Sequence, residues 1–314
     1  MNPLFILFII ILSIYVAIFL ISYVCYFIVF RTTKRLKRQK EFSIPSGKVY
    51  LPHKEKLIEL QKETKLIPCE DIEIKSFDNL TLRGKFYEYE KGAPIEIMFH
   101  GYRGNSQRDM AGGVQRCFKL KRSALLCDQR GQASSDGFLI SFGDKEKFDA
   151  LSWANYCYER FGDNVNLLLT GISMGASTVL LASELELPPT VKGIIADCGY
   201  SSAEKIIKSV MKKMHFPTFI FYPILNFGAN VFGDINLDKI SAENAVKNAK
   251  VPICFIHGKT DDFVPPDMSE ENFNACKTDK ELLLVDGAGH GLAFIIAPDD
   301  YIETLANFDK KIGL

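Results

Sequence analysis

Three positions in this chain could together activate a nucleophile. Ser173 lies in Thr170-Gly171-Ile172-Ser173-Met174-Gly175-Ala176, with the apolar run Asn166-Leu167-Leu168-Leu169 before it and the helix-like Ala176-Ser177-Thr178-Val179-Leu180-Leu181-Ala182 after it. Gly-x-Ser-x-Gly between a strand and a helix puts the serine on a sharp turn, where a Cβ at either glycine would strike a neighbouring element. A serine hydroxyl is a weak nucleophile at neutral pH, so it needs a base, and the base needs a group to orient it. The loop His257-Gly258-Lys259-Thr260-Asp261-Asp262-Phe263-Val264-Pro265 offers two adjacent carboxylates. Beyond it, Asp286-Gly287-Ala288-Gly289-His290-Gly291 carries the one histidine of five that follows the acidic loop. The order serine, acid, histidine is therefore available, with His290 as the base.

Such groups need a rigid frame. Apolar runs at Ile95-Glu96-Ile97-Met98-Phe99, Ala124-Leu125-Leu126-Cys127, Leu167-Leu168-Leu169, Val191-Lys192-Gly193-Ile194-Ile195-Ala196, Val251-Pro252-Ile253-Cys254-Phe255-Ile256 and Leu282-Leu283-Leu284-Val285 read as strands buried on both faces, separated by helical patterns. That rhythm predicts a mostly parallel sheet covered by helices. Two alternating segments, Asp71 to Phe77 and Leu80 to Tyr87, flank Asp78-Asn79 and predict a hairpin.

The N-terminal part has a different character. Pro3 to Phe30 holds no charged side chain and is long enough to span a bilayer. It lacks the basic start, short apolar core and small-residue cleavage site of a removable leader. Arg31, Lys34, Arg35, Lys37, Arg38 and Lys40 follow, a bias that puts the C-terminal side in the cytoplasm. These cations could also meet anionic headgroups. Residues 31–68 read as a basic juxtamembrane linker with an amphipathic helix whose apolar side is Leu57, Ile58 and Leu60, and 69–314 as the catalytic domain. The whole chain of 314 residues has zero formal net charge, which gives no reason to expect a nucleic-acid partner. Its eight cysteines lack metal-type spacing and read as reduced core residues.

Taken together, the motifs make the chain resemble the α/β-hydrolase superfamily, and within it the serine-aminopeptidase-like hydrolases. Their His-Gly-x-x-Asp-x-x-Val-Pro pattern matches His257, Gly258, Asp261, Val264 and Pro265, which selects Asp261 over Asp262 as the acid. The likeness covers about Asp71 to the C-terminus and leaves the anchor and linker outside. It implies that Phe99-His100-Gly101-Tyr102-Arg103-Gly104-Asn105 is the oxyanion loop, with the backbone N–H groups of Tyr102 and Met174 facing the developing charge. His100 and His257 are then structural. Asp128-Gln129-Arg130-Gly131-Gln132-Ala133-Ser134 resembles a supporting loop at the pocket rim, with Gln132 and Ala133 departing from its usual small residues.

The expected fold is an α/β-hydrolase fold with helices on both faces, a helical cap insertion at about 199–240 and one preceding transmembrane helix. The insertion holds Phe216, Phe219, Phe221, Tyr222, Leu225, Phe227 and Phe232. These aromatics read either as a lipophilic lid that decides the substrate or as packing of the cap on the core. The expected activity is that of a membrane-anchored serine hydrolase, acting without metal or cofactor on a small-molecule carboxylic ester or thioester, lipid-like ones included. The alternatives are a serine peptidase or amidase of aminopeptidase type, and a non-catalytic hydrolase-like scaffold that binds a ligand or partner.

Overall fold

The computed structural model of the chain describes residues 2–37 and 40–314; Arg38 of the basic run lies outside the described residues. The expected hairpin is present as strands β1 (Glu70–Lys75) and β2 (Thr81–Tyr87), antiparallel, with Asn79 at φ 69° in the turn. The predicted apolar runs form β3 (Ile95–Phe99), β4 (Ser123–Asp128), β5 (Leu167–Ile172), β6 (Val191–Asp197), β7 (Ile253–Gly258) and β8 (Lys280–Val285). Their spatial order is β1-β2-β4-β3-β5-β6-β7-β8, and every neighbouring pair from β4 to β8 is parallel. Right-handed crossovers require helices between such strands. The principal helices are α1 (Pro3–Phe30), α2 (Lys54–Leu66), α3 (Gly113–Lys119), α4 (Glu146–Phe161), α5 (Met174–Ala182), α6 (Ala203–Lys213), α7 (Thr218–Gly233), α8 (Asp267–Ala275) and α9 (Pro298–Ile312).

Successive strand residues point to opposite faces, and the core divides accordingly. Leu167 and Leu169 join Trp153 of α4 and Val179 of α5 on one face, whereas Leu168 joins Leu305 and Phe308 of α9 on the other. One carboxylate interrupts the apolar β3. Glu96 is fully buried and receives the guanidinium groups of Arg116 and Arg122, the latter also bonded to Asp309 of α9. A buried carboxylate is tolerable only when so paired.

The end of α1 is part of the body. Ser22, Tyr26 and Phe30 are buried, and Phe30 stacks near Tyr26 and edge-on to Phe142, with ring centres 6.0 and 5.5 Å away. The chain then pairs along residues 138–140: Thr32 N–H donates to the Phe138 carbonyl at 2.8 Å, and Ile140 N–H donates to the Phe30 carbonyl at 2.8 Å. Arg31 and Lys37 lie over the Phe138 ring at 5.7 and 5.5 Å, and Lys37 also donates to the Ser135 carbonyl. Earlier turns of α1 expose apolar side chains, from Leu4 to Tyr15. The segment at 44–60 also packs down, with Tyr50 and Leu57 against Leu292 and Ile295. Cys69 departs from the expected core cysteines: it is exposed, because it immediately precedes the edge strand β1.

Candidate active site

Ser173 sits between β5 and α5 at φ 57°, ψ −119°, a conformation few non-glycine residues adopt. The turn can be this tight because of its glycines. A Cβ on Gly171 would lie 2.1 Å from the Gly175 carbonyl carbon, and one on Gly175 would lie 2.0 Å from the Phe99 carbonyl oxygen. The Ser173 N–H is held by the Asp197 carbonyl at 2.8 Å, which ties the turn to the end of β6.

The acid loop leaves β7 and the histidine loop leaves β8, two adjacent parallel strands. They run close enough that a Cβ on Gly258 would lie 2.2 Å from the Ala288 carbonyl oxygen. Residues 117 positions apart in sequence thereby meet: His290 Nε2 lies 2.9 Å from Ser173 Oγ, and His290 Nδ1 lies 2.6 Å from Asp261 Oδ2. A carboxylate can only accept, so the Nδ1–H donates to Asp261, and Nε2 is left with the lone pair that faces the serine proton. Phe263 packs edge-on to the imidazole, with ring centres 5.0 Å apart.

Asp261 is the better placed of the two adjacent carboxylates. It is buried, and its Oδ1 accepts from the N–H groups of Phe263 and Val264 at 2.8 and 2.9 Å. Burial pushes its pKa up, but the hydrogen bonds from His257 and His290 outweigh that and hold it well below the usual carboxylate range. Asp262 instead points outward, 3.6 Å from Lys213. His257 Nε2 reaches two acceptors, Asp261 Oδ2 at 3.2 Å and the Val264 carbonyl at 3.0 Å, and so carries a proton. Its Nδ1 accepts from Ser269 Oγ at 2.6 Å. His257 braces the acid loop, as the resemblance implies.

The loop after β3 runs beside the serine. A Cβ on Gly101 would lie 3.4 Å from Ser173 Cβ. Met174 opens α5, and the first amides of a helix have no intrahelical acceptor. Tyr102 and Met174 thus both adjoin Ser173. His100 holds this loop by side-chain bonds, Nδ1 at 2.8 Å from the Gly101 carbonyl and Nε2 accepting from Gln129 N–H at 3.0 Å. Arg130 is buried beneath, its guanidinium bonded to Asp149 at 2.6 Å and Asp78 at 2.9 Å. Ala133 takes φ 42°, the left-handed conformation that makes glycine the easier residue there.

A cavity of about 700 Å³ opens at Ser173 and His290. Its wall bears on the two readings of the aromatics in the insertion at 199–240. No residue of that insertion lines it among the described residues; Pro45 to Tyr50 and Leu57 do, together with Tyr102, Arg103, Arg108, Phe263 and Leu292. The insertion turns its aromatics elsewhere: Tyr222 and Leu225 go into the core, while Phe219 and Phe227 face outward. A larger recess of about 850 Å³, with Lys37, Arg83 and Asp128 on its wall, shares no lining residue with the cavity at Ser173. Sequence reasoning also missed Asp109, whose carboxylate accepts from Gly101 N–H at 3.1 Å and from Arg108 Nε at 2.6 Å. Nothing in its own segment marked it, because the contact is made across the turn of the loop.

Known proteins are similar to this chain over part or most of its length. The sequence profile of the Prolyl oligopeptidase family matches residues 128–312. The YqkD protein of Bacillus subtilis is 24% identical over 187 residues, which is 59% of this chain and 61% of that protein, so the match spans less than two thirds of its length. Among solved structures, the Pyrococcus furiosus esterase Pf2001 superposes with TM-score 0.63 at 20% identity, over 87% of this chain and 99% of that one. A Pyrococcus horikoshii acylaminoacyl peptidase superposes with TM-score 0.57 at 19% identity, over 79% of this chain and 42% of that one. These likenesses establish an α/β-hydrolase fold, and the profile, which covers Ser173, Asp261 and His290, establishes that the chain belongs to the Prolyl oligopeptidase family.

Proposed function

We propose that this protein is a membrane-anchored serine hydrolase that cleaves a carboxylic ester or thioester through an acyl-enzyme on Ser173. The observation that carries the reading is the continuous line Ser173 Oγ, His290, Asp261, with contacts of 2.9 and 2.6 Å. His290 Nε2 takes the hydroxyl proton as Ser173 Oγ bonds to the substrate carbonyl carbon. The tetrahedral oxyanion rests on the N–H groups of Tyr102 and Met174. As it collapses, the bond to the leaving alkoxide or thiolate breaks, and that group departs with the proton from His290. Water then attacks the acyl carbon, giving its proton to His290, and Ser173 leaves as a hydroxyl. Asp261 keeps the imidazole in the useful tautomer and stabilises its charged form. Val49, Tyr50, Phe263 and Leu292 give the cavity apolar walls suited to an acyl group.

The serine-aminopeptidase-like pattern from His257 to Pro265 remains our reading of the acid loop. Family membership and the acylaminoacyl peptidase neighbour favour a second reading, hydrolysis of an acyl amide or peptide bond by the same three residues. For the anchor, α1 is 28 residues long, with mean hydropathy 3.3 over an 18-residue window of which none is buried, dimensions that suit a bilayer. Arg31, Lys34, Arg35 and Lys37 after it favour a cytoplasmic catalytic domain.

The test is labelling of the full chain in detergent with a fluorophosphonate, beside Ser173→Ala and His290→Ala. Labelling of the parent alone supports the reading, and a folded parent that stays unlabelled overturns it. A panel of alkyl esters against N-acyl aminoacyl amides then separates esterase from peptidase.

A further inference from the structure

We propose that α7 enters the acyl-chain region of the bilayer alongside α1, so that two helices embed the protein. The proposal rests on reading α1 as a membrane helix.

The sequence of α7, Thr218 to Gly233, contains no charged side chain. Its inner face, with Tyr222, Leu225 and Ala229, is buried in the core. A second face meets α1 almost backbone to backbone. A Cβ on Gly228 would lie 2.3 Å from the Ser22 carbonyl oxygen, and one on Gly233 would lie 2.8 Å from the Tyr26 ring. Phe232 lies among the rings of Phe19, Tyr23 and Tyr26, with centres 5.1, 5.1 and 5.8 Å away. Close contact through small residues is how helices associate where water cannot drive them together.

The third face is the unexplained one. Phe219, Pro223, Phe227 and Val231 recur every fourth residue and are all exposed, Phe219 at 80%, with Ile220 beside them. Met214 and Phe216 in the preceding turn are also exposed. Left in water, such a contiguous apolar patch is unfavourable. It does not serve the cavity at Ser173, which no α7 residue lines.

What covers it follows from its continuity with α1. Ser22 meets Gly228 and Tyr26 meets Gly233, so the two helices run in the same sense. The first half of α7, with Phe219 and Ile220, therefore lies toward the earlier turns of α1, whose apolar side chains are exposed. Any lipid that surrounds those turns also reaches Phe219.

Trp153 is the only tryptophan and is buried, which leaves room for a reporter. The full chain would be reconstituted in phosphatidylcholine and phosphatidylglycerol vesicles, with and without lipids brominated at mid-chain, as parent, Tyr15→Trp and Phe219→Trp. Tyr15 is an exposed position in the middle of α1. The expected result is about twofold quenching of both introduced tryptophans, with the parent unchanged, as fits a helix buried several ångströms into the acyl boundary. Quenching of Tyr15→Trp without quenching of Phe219→Trp overturns the proposal and leaves the anchor intact, whether the patch then faces water or a second copy of the chain. If Tyr15→Trp is not quenched, the anchor reading fails and this proposal fails with it.

Discussion

The hydroxyl of Tyr102 donates to the backbone carbonyl of Val29 at 2.6 Å, fastening the loop beside Ser173 to the last turn of α1. Val29 belongs to the final helical carbonyls, which have no partner within the helix. Arg103 covers its neighbours, reaching the carbonyls of Ile28 and, at 3.0 Å, Arg31. The same two residues cap the apolar helix and shape the proposed oxyanion loop. Tyr102→Phe keeps the ring and removes the donor. With one hydrogen bond worth about 1 kcal/mol, kcat should fall about fivefold with KM little changed. Steady-state kinetics on a short ester would check this, since a merely destabilised protein would lose active enzyme without altering its labelling rate per folded molecule.

Phe30 has no exposed surface. Phe30→Ala should remove about 3–5 kcal/mol of stability. A chain starting at Lys40 loses this residue, Tyr26 and the cap on Tyr102 together, and is expected to aggregate. Thermal unfolding of the full-length variant in detergent and the soluble yield of the shortened chain give the comparison.

Within the triad, Ser173→Ala or His290→Ala should abolish fluorophosphonate labelling and lower ester turnover by about six orders of magnitude. Asp261→Asn, which leaves the shape and spoils the tautomer, should lower kcat about 10⁴-fold with little change in KM. Retention of more than a few per cent of parental kcat by any of the three would remove that residue from the mechanism.

Gly175→Ala would force a methyl group against the Phe99 carbonyl, 2.0 Å away, in backbone that cannot yield. The expected outcome is a loss of more than about 3 kcal/mol, seen as a protein that fails to fold at 37 °C. A soluble, labelled Gly175→Ala protein would contradict the tight turn.

Asp197 should set a pH dependence of stability. Burial pushes its pKa up to about 6, against the opposing hydrogen bond from Tyr301 at 3.1 Å. Because the folded protein holds this proton at pH values where the unfolded chain has released it, stability falls as pH rises from about 4 to about 6 and levels off above. Asn at this position cannot titrate. The stability difference between parent and Asp197→Asn should therefore shift in favour of Asn by on the order of 2 kcal/mol between pH 4 and pH 7, measured by denaturant unfolding in detergent. A flat difference would mean that Asp197 titrates normally.

Much of this was legible in the chain because it is local. Alternating and continuous apolar runs define strands, the glycines around Ser173 define a turn that admits no Cβ, and twenty-eight residues without charge define a long apolar helix. The order of Ser173, Asp261 and His290 was readable for the same reason, each lying in its own loop after its own strand. What joins them is not local: only the parallel neighbours β7 and β8 bring Asp261 to His290, and only the place of β5 in the sheet brings both to Ser173. Nothing in residues 45–50 announces a cavity wall, because their role depends on where α2 lands against Leu292 and Ile295. The aromatic insertion admitted two readings for the complementary reason. Composition says that Phe219 and Phe227 are apolar, but which surface they meet is decided by the docking of α1, where Gly228 lets two backbones touch. Residue type and spacing set the chemistry available to this protein; long-range packing chose which segments stand over Ser173 and which stand apart from it.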